Sequence, residues 1–253
     1  MEADLEKGNE RMTSFSDLQT AKEVIEYQKK VLSRTGGRTA ENACIYHYTN
    51  ITSLTKMLDS RYMWLSPPDK MNDYLEYELL QAAGLSDLYF SCFSRTNQNI
   101  AMFKMYASNP NGAMLSMSVA DAKKMLAQKP RLVDGIDLKD EVDADLYWIG
   151  VCYKNLETDT ISTPGQMNRN IKKPLKELSG AVKLSGWEYE KEVRLCGRKS
   201  LSDGQRLAVK LPDKLGVVLC PGFDRDKYRK ELSYLKANGI DYELSQYDNW
   251  VRL

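Results

Sequence analysis

The chain has 253 residues, 42% hydrophobic and 28% charged, with 36 Lys and Arg against 35 Asp and Glu for a net charge of +1. That is enough apolar material for one large core, and the charge balance supplies no global pull toward nucleic acid or an anionic membrane. No apolar run approaches the ~20 residues that span a bilayer, and the polar N-terminus carries no apolar signal core. One histidine and five widely spaced cysteines without a CxxC pair argue against a structural zinc site and for reduced thiols in a cytoplasmic protein.

Residues 1–14 read as an arm. Ser16-Asp17-Leu18-Gln19 is a capping-box pattern ahead of a helix with Leu18, Ala21, Val24, Ile25, Val31 and Leu32 at helical spacing, stopped by Gly36-Gly37. An N-terminal arm and helix over 1–40 thus precedes a single domain over 41–253. Strands are expected over 42–48 and 62–65, with a short helix between them capped by Asn50 or Thr52. Pro67-Pro68 forces a turning loop, followed by a helix over 73–83, a strand over 88–93 and a short helix over 99–107. The turn Asn109-Pro110-Asn111-Gly112 leads into a strand over 113–117, and Ser118 caps a helix over 119–128.

The acidic stretch 130–145 reads as loop, 146–153 as strand, 155–165 as loop, and 166–178 as a helix interrupted by Pro174. Strands follow over 192–196, 206–211 and 217–220, then an amphipathic helix over 224–237 closed by Asn238-Gly239, and a last strand over 241–245. Short strands mixed irregularly with helices point to an α+β fold rather than a regular parallel sheet.

Three places carry chemistry. His47 ends the first strand; a lone histidine there is most often packed or hydrogen-bonded. Trp64-Leu65-Ser66 and Met71-Asn72-Asp73 flank a proline-stiffened loop that can present hydrogen-bonding groups to a ligand, although Asn72 or Asp73 can equally cap the next helix. In Trp187-Glu188-Tyr189-Glu190-Lys191-Glu192-Val193-Arg194-Leu195, alternation places Glu188, Glu190 and Glu192 on one face of a strand, with Lys191 and Arg194 turned to the other. Such carboxylates either line a solvated edge or stabilise a developing sugar cation. The basic stretches at Lys172-Lys173, Lys176 and Lys183, and at Arg225, Lys227, Arg229 and Lys230, read as solvated faces.

Taken in order, Tyr46-His47-Tyr48-Thr49, Trp64-Leu65-Ser66, Asn72-Asp73 with Glu76, Cys92-Phe93-Ser94, Tyr106-Ala107 with Gly112, and Trp187 with Tyr189 to Leu195 resemble the DUF2971 family, which is related to the ADP-ribosyltransferase fold. The resemblance covers about residues 44–200. The chain departs from the family pattern at Tyr74, where Pro often follows Asn-Asp, and at Phe103, where Trp is frequent.

The resemblance implies an ADP-ribosyltransferase-like split mixed sheet with peripheral helices, and an enzyme that cleaves NAD and passes ADP-ribose to a protein or nucleic-acid acceptor as a toxin or defence effector, with a neutralising protein partner as one expectation. It assigns Glu192 to the ribose 2′-hydroxyl and the oxocarbenium-like transition state, and Glu190 to the acceptor. His47 would bind a ribose hydroxyl or the nicotinamide amide, supported by Tyr48, Thr49, Ser66 and Asn72. Tyr106, or as second choice Phe93, would stack on nicotinamide, and Arg95 would meet the pyrophosphate. No metal is implied. An NAD glycohydrolase, a catalytically inactive nucleotide- or partner-binding module and a nucleic-acid-binding module remain as alternatives.

Overall fold

The computed structural model describes residues 43–82, 84–154, 180 and 182–248. The helices expected over 15–34 and 166–178 lie outside those residues. The elements are β1 (Cys44–Asn50), α1 (Ile51–Ser60), β2 (Tyr62–Leu65), α2 (Tyr74–Ala82), β3 (Leu88–Ser94), α3 (Ile100–Tyr106), β4 (Gly112–Ser118) and α4 (Val119–Lys124). They continue with β5 (Arg131–Asp134), β6 (Asp137–Glu141), β7 (Asp145–Gly150), β8 (Cys152–Lys154), β9 (Val182–Leu184), β10 (Glu192–Arg198), β11 (Gln205–Lys210), β12 (Gly216–Leu219), α5 (Arg229–Ala237) and β13 (Tyr242–Leu244). The architecture is mixed α+β: a seven-stranded sheet in the order β13-β12-β4-β1-β3-β10-β7, a four-stranded sheet β2-β11-β5-β6 and a two-stranded pair β8-β9.

Local chemistry starts the helices where side-chain oxygens are available. Asn50 accepts from the Ser53 N–H at 2.8 Å to begin α1, and the Ser118 hydroxyl accepts from the Asp121 N–H at 3.0 Å to begin α4. Asp73 accepts from the Glu76 N–H at 3.3 Å, so Asp73 serves as the helix cap of α2.

The large sheet is buried on both faces. One face packs on the smaller sheet: Ile45, Leu115, Phe93 and Leu195 share a core with Met63, Leu65, Leu207 and Val209. The sheets approach closely at Gly197, where a Cβ would stand 2.7 Å from Leu207 Cδ1 and 3.0 Å from Leu65 Cδ1. On the other face, Leu80 of α2 packs with Leu88, Phe90, Ile149 and Cys196 in a second cluster. Alternation along β3 and β10 divides the two sets, since neighbouring residues point to opposite faces.

Five expectations change. The stretch 130–145 is a hairpin, β5–β6, turned at Gly135 with φ 61° and laid against β11, rather than a loop. Val133 is the one buried residue within β5 and β6, so the stretch carries almost no hydrophobic alternation to read. The expected strand over 146–153 divides into β7 and β8 at Val151, whose N–H bonds the Glu192 carbonyl at 3.0 Å. Helical structure in 224–237 is limited to α5 at Arg229–Ala237, and in 119–128 the α-helix ends at Lys124 and a 3₁₀ turn follows. Most relevant to the site, the segment before β10 is a 3₁₀ helix, Ser185–Glu190, closed by Lys191 at φ 46°. Glu188 therefore does not alternate with Glu190 and Glu192: it is exposed and pairs with Lys191 at 2.8 Å.

Candidate functional site

Register assigns each candidate side chain to a face. Tyr46 lies opposite Ser94, and Ser94 opposite Glu192. Residues directly opposite share a face, so Ser94, Cys92, Glu192 and Arg194 project toward α2 and α3. His47 and Thr49 lie one residue out of phase with Tyr46 and project toward the smaller sheet, as does Phe93.

The α2/α3 face holds a chain of buried charges. Glu76 and Leu80 are four residues apart on α2 and share one side of the helix, so seating Leu80 in its cluster aims Glu76 at the sheet. There Glu76 forms a two-pronged pair with the Arg194 guanidinium through Nη1 and Nη2. Arg194 is also bound to Glu192, Nε to Oε1 at 2.7 Å and Nη2 to Oε2 at 3.0 Å, and its Nη1 donates to the Gly180 carbonyl at 2.8 Å. Lys183 Nζ bridges Glu192 Oε2 at 2.9 Å and Glu190 Oε2 at 2.6 Å. The Tyr106 hydroxyl donates a short bond to Glu190 Oε1, and the Asn72 side chain reaches the same hydroxyl. The order is Glu76, Arg194, Glu192, Lys183, Glu190, Tyr106, with signs alternating along it. Glu76, Glu190, Glu192 and Arg194 are each no more than 3% exposed.

The position of each carboxylate sets its ionisation. Burial acts to raise the Glu192 pKa, but flanking Arg194 and Lys183 outweigh it and hold the carboxyl well below the usual carboxylate range. Glu190 and Glu76 stand at the ends with one cation each, and there burial dominates and raises both. Burial would lower the Lys183 pKa, but Glu192 and Glu190 reverse that and keep the ammonium charged. Burial, reinforced by Glu190, pushes the Tyr106 phenol far above its ordinary value, so it acts as a neutral donor.

Backbone ties fix Glu190 and Glu192 relative to β3. The Ser94 hydroxyl donates to the Glu190 carbonyl at 2.6 Å, the Arg95 N–H to the Lys191 carbonyl at 3.0 Å, and the Asn99 amide to the Tyr189 carbonyl at 3.2 Å. Arg95 Nε also lies 3.3 Å from the Lys191 carbonyl. The Glu192 N–H donates to the Tyr153 hydroxyl at 2.7 Å. Between these groups lies Cys92, whose side chain is solvent-exposed although β3 is an interior strand. Burial, followed by the Glu192 charge, raises its pKa well above the ordinary thiol value. The protonated thiol is not a nucleophile there.

The structure thus brings together Tyr106, Asn72, Glu190 and Glu192. It places His47, Thr49 and Phe93 on the other face of the sheet. β1 and β3 pair only at Tyr46 and Ser94, and His47 Nδ1 meets the Cys92 carbonyl in the gap at 2.8 Å, its ring 5.4 Å from that of Phe93. A carbonyl only accepts, so Nδ1 carries the proton; burial lowers the pKa and favours this neutral ring. The Tyr48 hydroxyl donates to the Thr96 carbonyl at 3.0 Å and accepts from the Asn99 N–H at 2.9 Å, and burial pushes its pKa up to about 12. Ser66 pairs through its backbone with Phe90.

Arg194 and Lys183 depart from the expectations above. Arg194 shares a face with Glu192, as its spacing of two along the strand requires. Lys183 is buried between two carboxylates and is no part of a solvated basic face. Among the described residues no group of three His, Cys, Asp or Glu side chains is arranged to hold a metal ion, and no helix is long and apolar enough to cross a membrane. In comparisons with models of protein families, with curated proteins and with solved structures, nothing matches the chain.

Proposed function

We propose that the chain is an NAD-dependent ADP-ribosyltransferase with a split-sheet fold of that kind, moving ADP-ribose to a protein or nucleic-acid acceptor in the cytoplasm as a toxin or defence effector. The observation that carries this reading is Glu192, a carboxylate held ionised by two cations beside solvent-exposed Cys92, with Glu190 two residues earlier and Tyr106 hydrogen-bonded to Glu190.

Cleavage of the bond between nicotinamide and ribose sends the bonding pair to the ring nitrogen, so nicotinamide leaves neutral and positive charge develops on the ribose carbon. A carboxylate already ionised and fixed beside that carbon stabilises the transition state more than the ground state. The acceptor nucleophile bonds the same carbon and gives up its proton. Glu190, whose pKa burial raises, takes that proton more readily than an ordinary carboxylate. Tyr106 and Asn72 face nicotinamide, and His47 supports Cys92 from the opposite side of the sheet through its carbonyl. A binding module without catalysis is the second reading, favoured by the satisfaction of both carboxylates within the charge chain.

The test is incubation of wild type and Glu192→Asp with adenine-labelled NAD, following free nicotinamide and label in protein, RNA and DNA. Aspartate keeps the charge but withdraws the carboxylate by about one methylene, a displacement that costs ~10²-fold in rate. Wild-type labelling of an acceptor with that loss in Glu192→Asp is expected. Equal turnover in both, or none in wild type, contradicts the reading, and nicotinamide release without labelling marks a glycohydrolase.

A further inference from the structure

The two carboxylates needed for this chemistry are closed off, and one side chain closes them. Lys183 Nζ stands 2.6 Å from Glu190 Oε2 and 2.9 Å from Glu192 Oε2, and 5.2 Å from the centroid of the Trp187 ring. An ammonium between two carboxylates and an aromatic face is bound by both ion pairing and cation–π attraction. Lys183 is carried by β9, which among the described residues pairs only with β8 and stands outside the sheet that carries Glu192. The carboxylates and Trp187 belong to one continuous segment, Ser185–Glu190 and the start of β10. Removing the ammonium therefore empties a defined position while leaving the groups that surround it on their own scaffold.

We infer that the gap between Glu190, Glu192 and Trp187 is a seat for an organic cation, filled at rest by the Lys183 ammonium as an autoinhibitory latch, and that the positively charged nicotinamide ring of NAD displaces it. The seat stands on the geometry alone; the identity of the incoming cation rests on the ADP-ribosyltransferase reading. The latch also gives a direction to product release. The nicotinamide ring is cationic before cleavage and neutral after it, because the bonding pair moves to the ring nitrogen. A neutral ring competes poorly for a place between two carboxylates, so the ammonium returns and nicotinamide leaves. Because the open form must be populated before NAD binds, the latch weakens apparent affinity by the fraction of molecules that are open.

Lys183→Ala removes the side chain from Cγ to Nζ, which n-propylammonium matches atom for atom. The variant should melt below wild type. At pH 7, n-propylammonium should restore at least half of the loss, n-propanol none of it, and neither should raise wild type. NAD should bind Lys183→Ala ~10-fold or more tightly than wild type, and n-propylammonium should weaken that binding.

If the variant is unfolded alone, recovery of native circular dichroism with each compound gives the same readout. Lys183→Met, which ends one atom short of the seat, then serves for NAD binding. Equal effects of n-propylammonium and n-propanol overturn the seat. NAD binding to the variants that is unchanged or weaker, with wild type binding NAD normally, overturns the latch and leaves the proposed function standing. Rescue by n-propylammonium with no NAD binding by any of the proteins overturns the nicotinamide assignment and the transferase reading together.

Discussion

At the scale of single residues, position within the alternating charge chain decides what each carboxylate does. Glu192 separates two cations, Arg194 and Lys183. Glu192→Gln leaves those cations adjacent and buried, and breaking a buried pair in this way costs about 3–5 kcal/mol. Glu190 is an end member of a chain with three carboxylates and two cations. Glu190→Gln makes the chain electrically neutral while its amide oxygen still accepts from Tyr106 or Lys183, so at pH 7 it should leave the melting temperature unchanged or raise it. Urea unfolding of both variants checks the contrast; equal destabilisation contradicts it.

The pH dependence follows from the same positions. Glu192 has a lowered folded pKa, so its contribution is complete above its unfolded value and is lost as pH falls through the folded one. Glu190 has a raised folded pKa, so its contribution is present at low pH and declines as pH rises through that value. Unfolding free energies across acid and neutral pH should show the neutral-side decline in wild type and a smaller one in Glu190→Gln, where only the raised Glu76 still contributes.

The spacing of two between Glu192 and Arg194 puts both on one face of a strand, so the expectation that turned Arg194 to the other face misapplied a signal that was present. Lys183 was not legible in the sequence, because nothing local distinguishes a lysine that crosses to another element's carboxylates from one in a solvated basic run. Glu76 could be placed among the residues of the family resemblance, but its partner lies 118 positions away.

At the scale of elements, the site depends on how the segment before β10 is fastened to the end of β3. Asn99 caps α3 by accepting from the Ala101 and Met102 N–H groups at 2.9 and 3.3 Å, and its amide donates to Tyr189. Asn99→Ala removes both connections. It should cost ~1–2 kcal/mol and speed amide exchange in residues 187–191 selectively; exchange unchanged there would show that the segment holds without this tie.

The alternation of Glu188, Glu190 and Glu192 suggested a strand, but a short 3₁₀ turn gives no comparable signature, and Lys191 at φ 46° ends it without the glycine that usually marks such a place. Strand positions with strong apolar runs, such as β1, β3 and β12, were readable for the opposite reason. The β5–β6 hairpin was not, because it contributes so little to the core.

At the scale of the molecule, two sheets packed face to face leave the second face of the larger one free to carry charge under α2 and α3. The mixed α+β class follows from the irregular order of strands and helices, whereas strand order and face assignments depend on long-range pairing that no local window contains. Gly197 lies at a close approach of the two sheets, against Leu207 and Leu65. Gly197→Ala should cost about 1–3 kcal/mol by overpacking and, through β10, broaden resonances around Glu192; a neutral substitution would show that the sheets have room to separate.

The resemblance gathered His47, Tyr106 and Glu192 into one reading, yet register parts His47 from the other two. A strand residue's face changes with every step along the chain, so membership of a motif does not decide it.

The most direct measurement is a carbon-13 NMR titration of the glutamate side-chain carboxyls, assigned by mutation and followed with and without NAD. The Glu192 carboxyl should stay ionised below the range where ordinary glutamates titrate, Glu190 should titrate above that range, and NAD should move both resonances. Ordinary titration of Glu192, or resonances of both carboxyls that ignore saturating NAD, would contradict the proposed function.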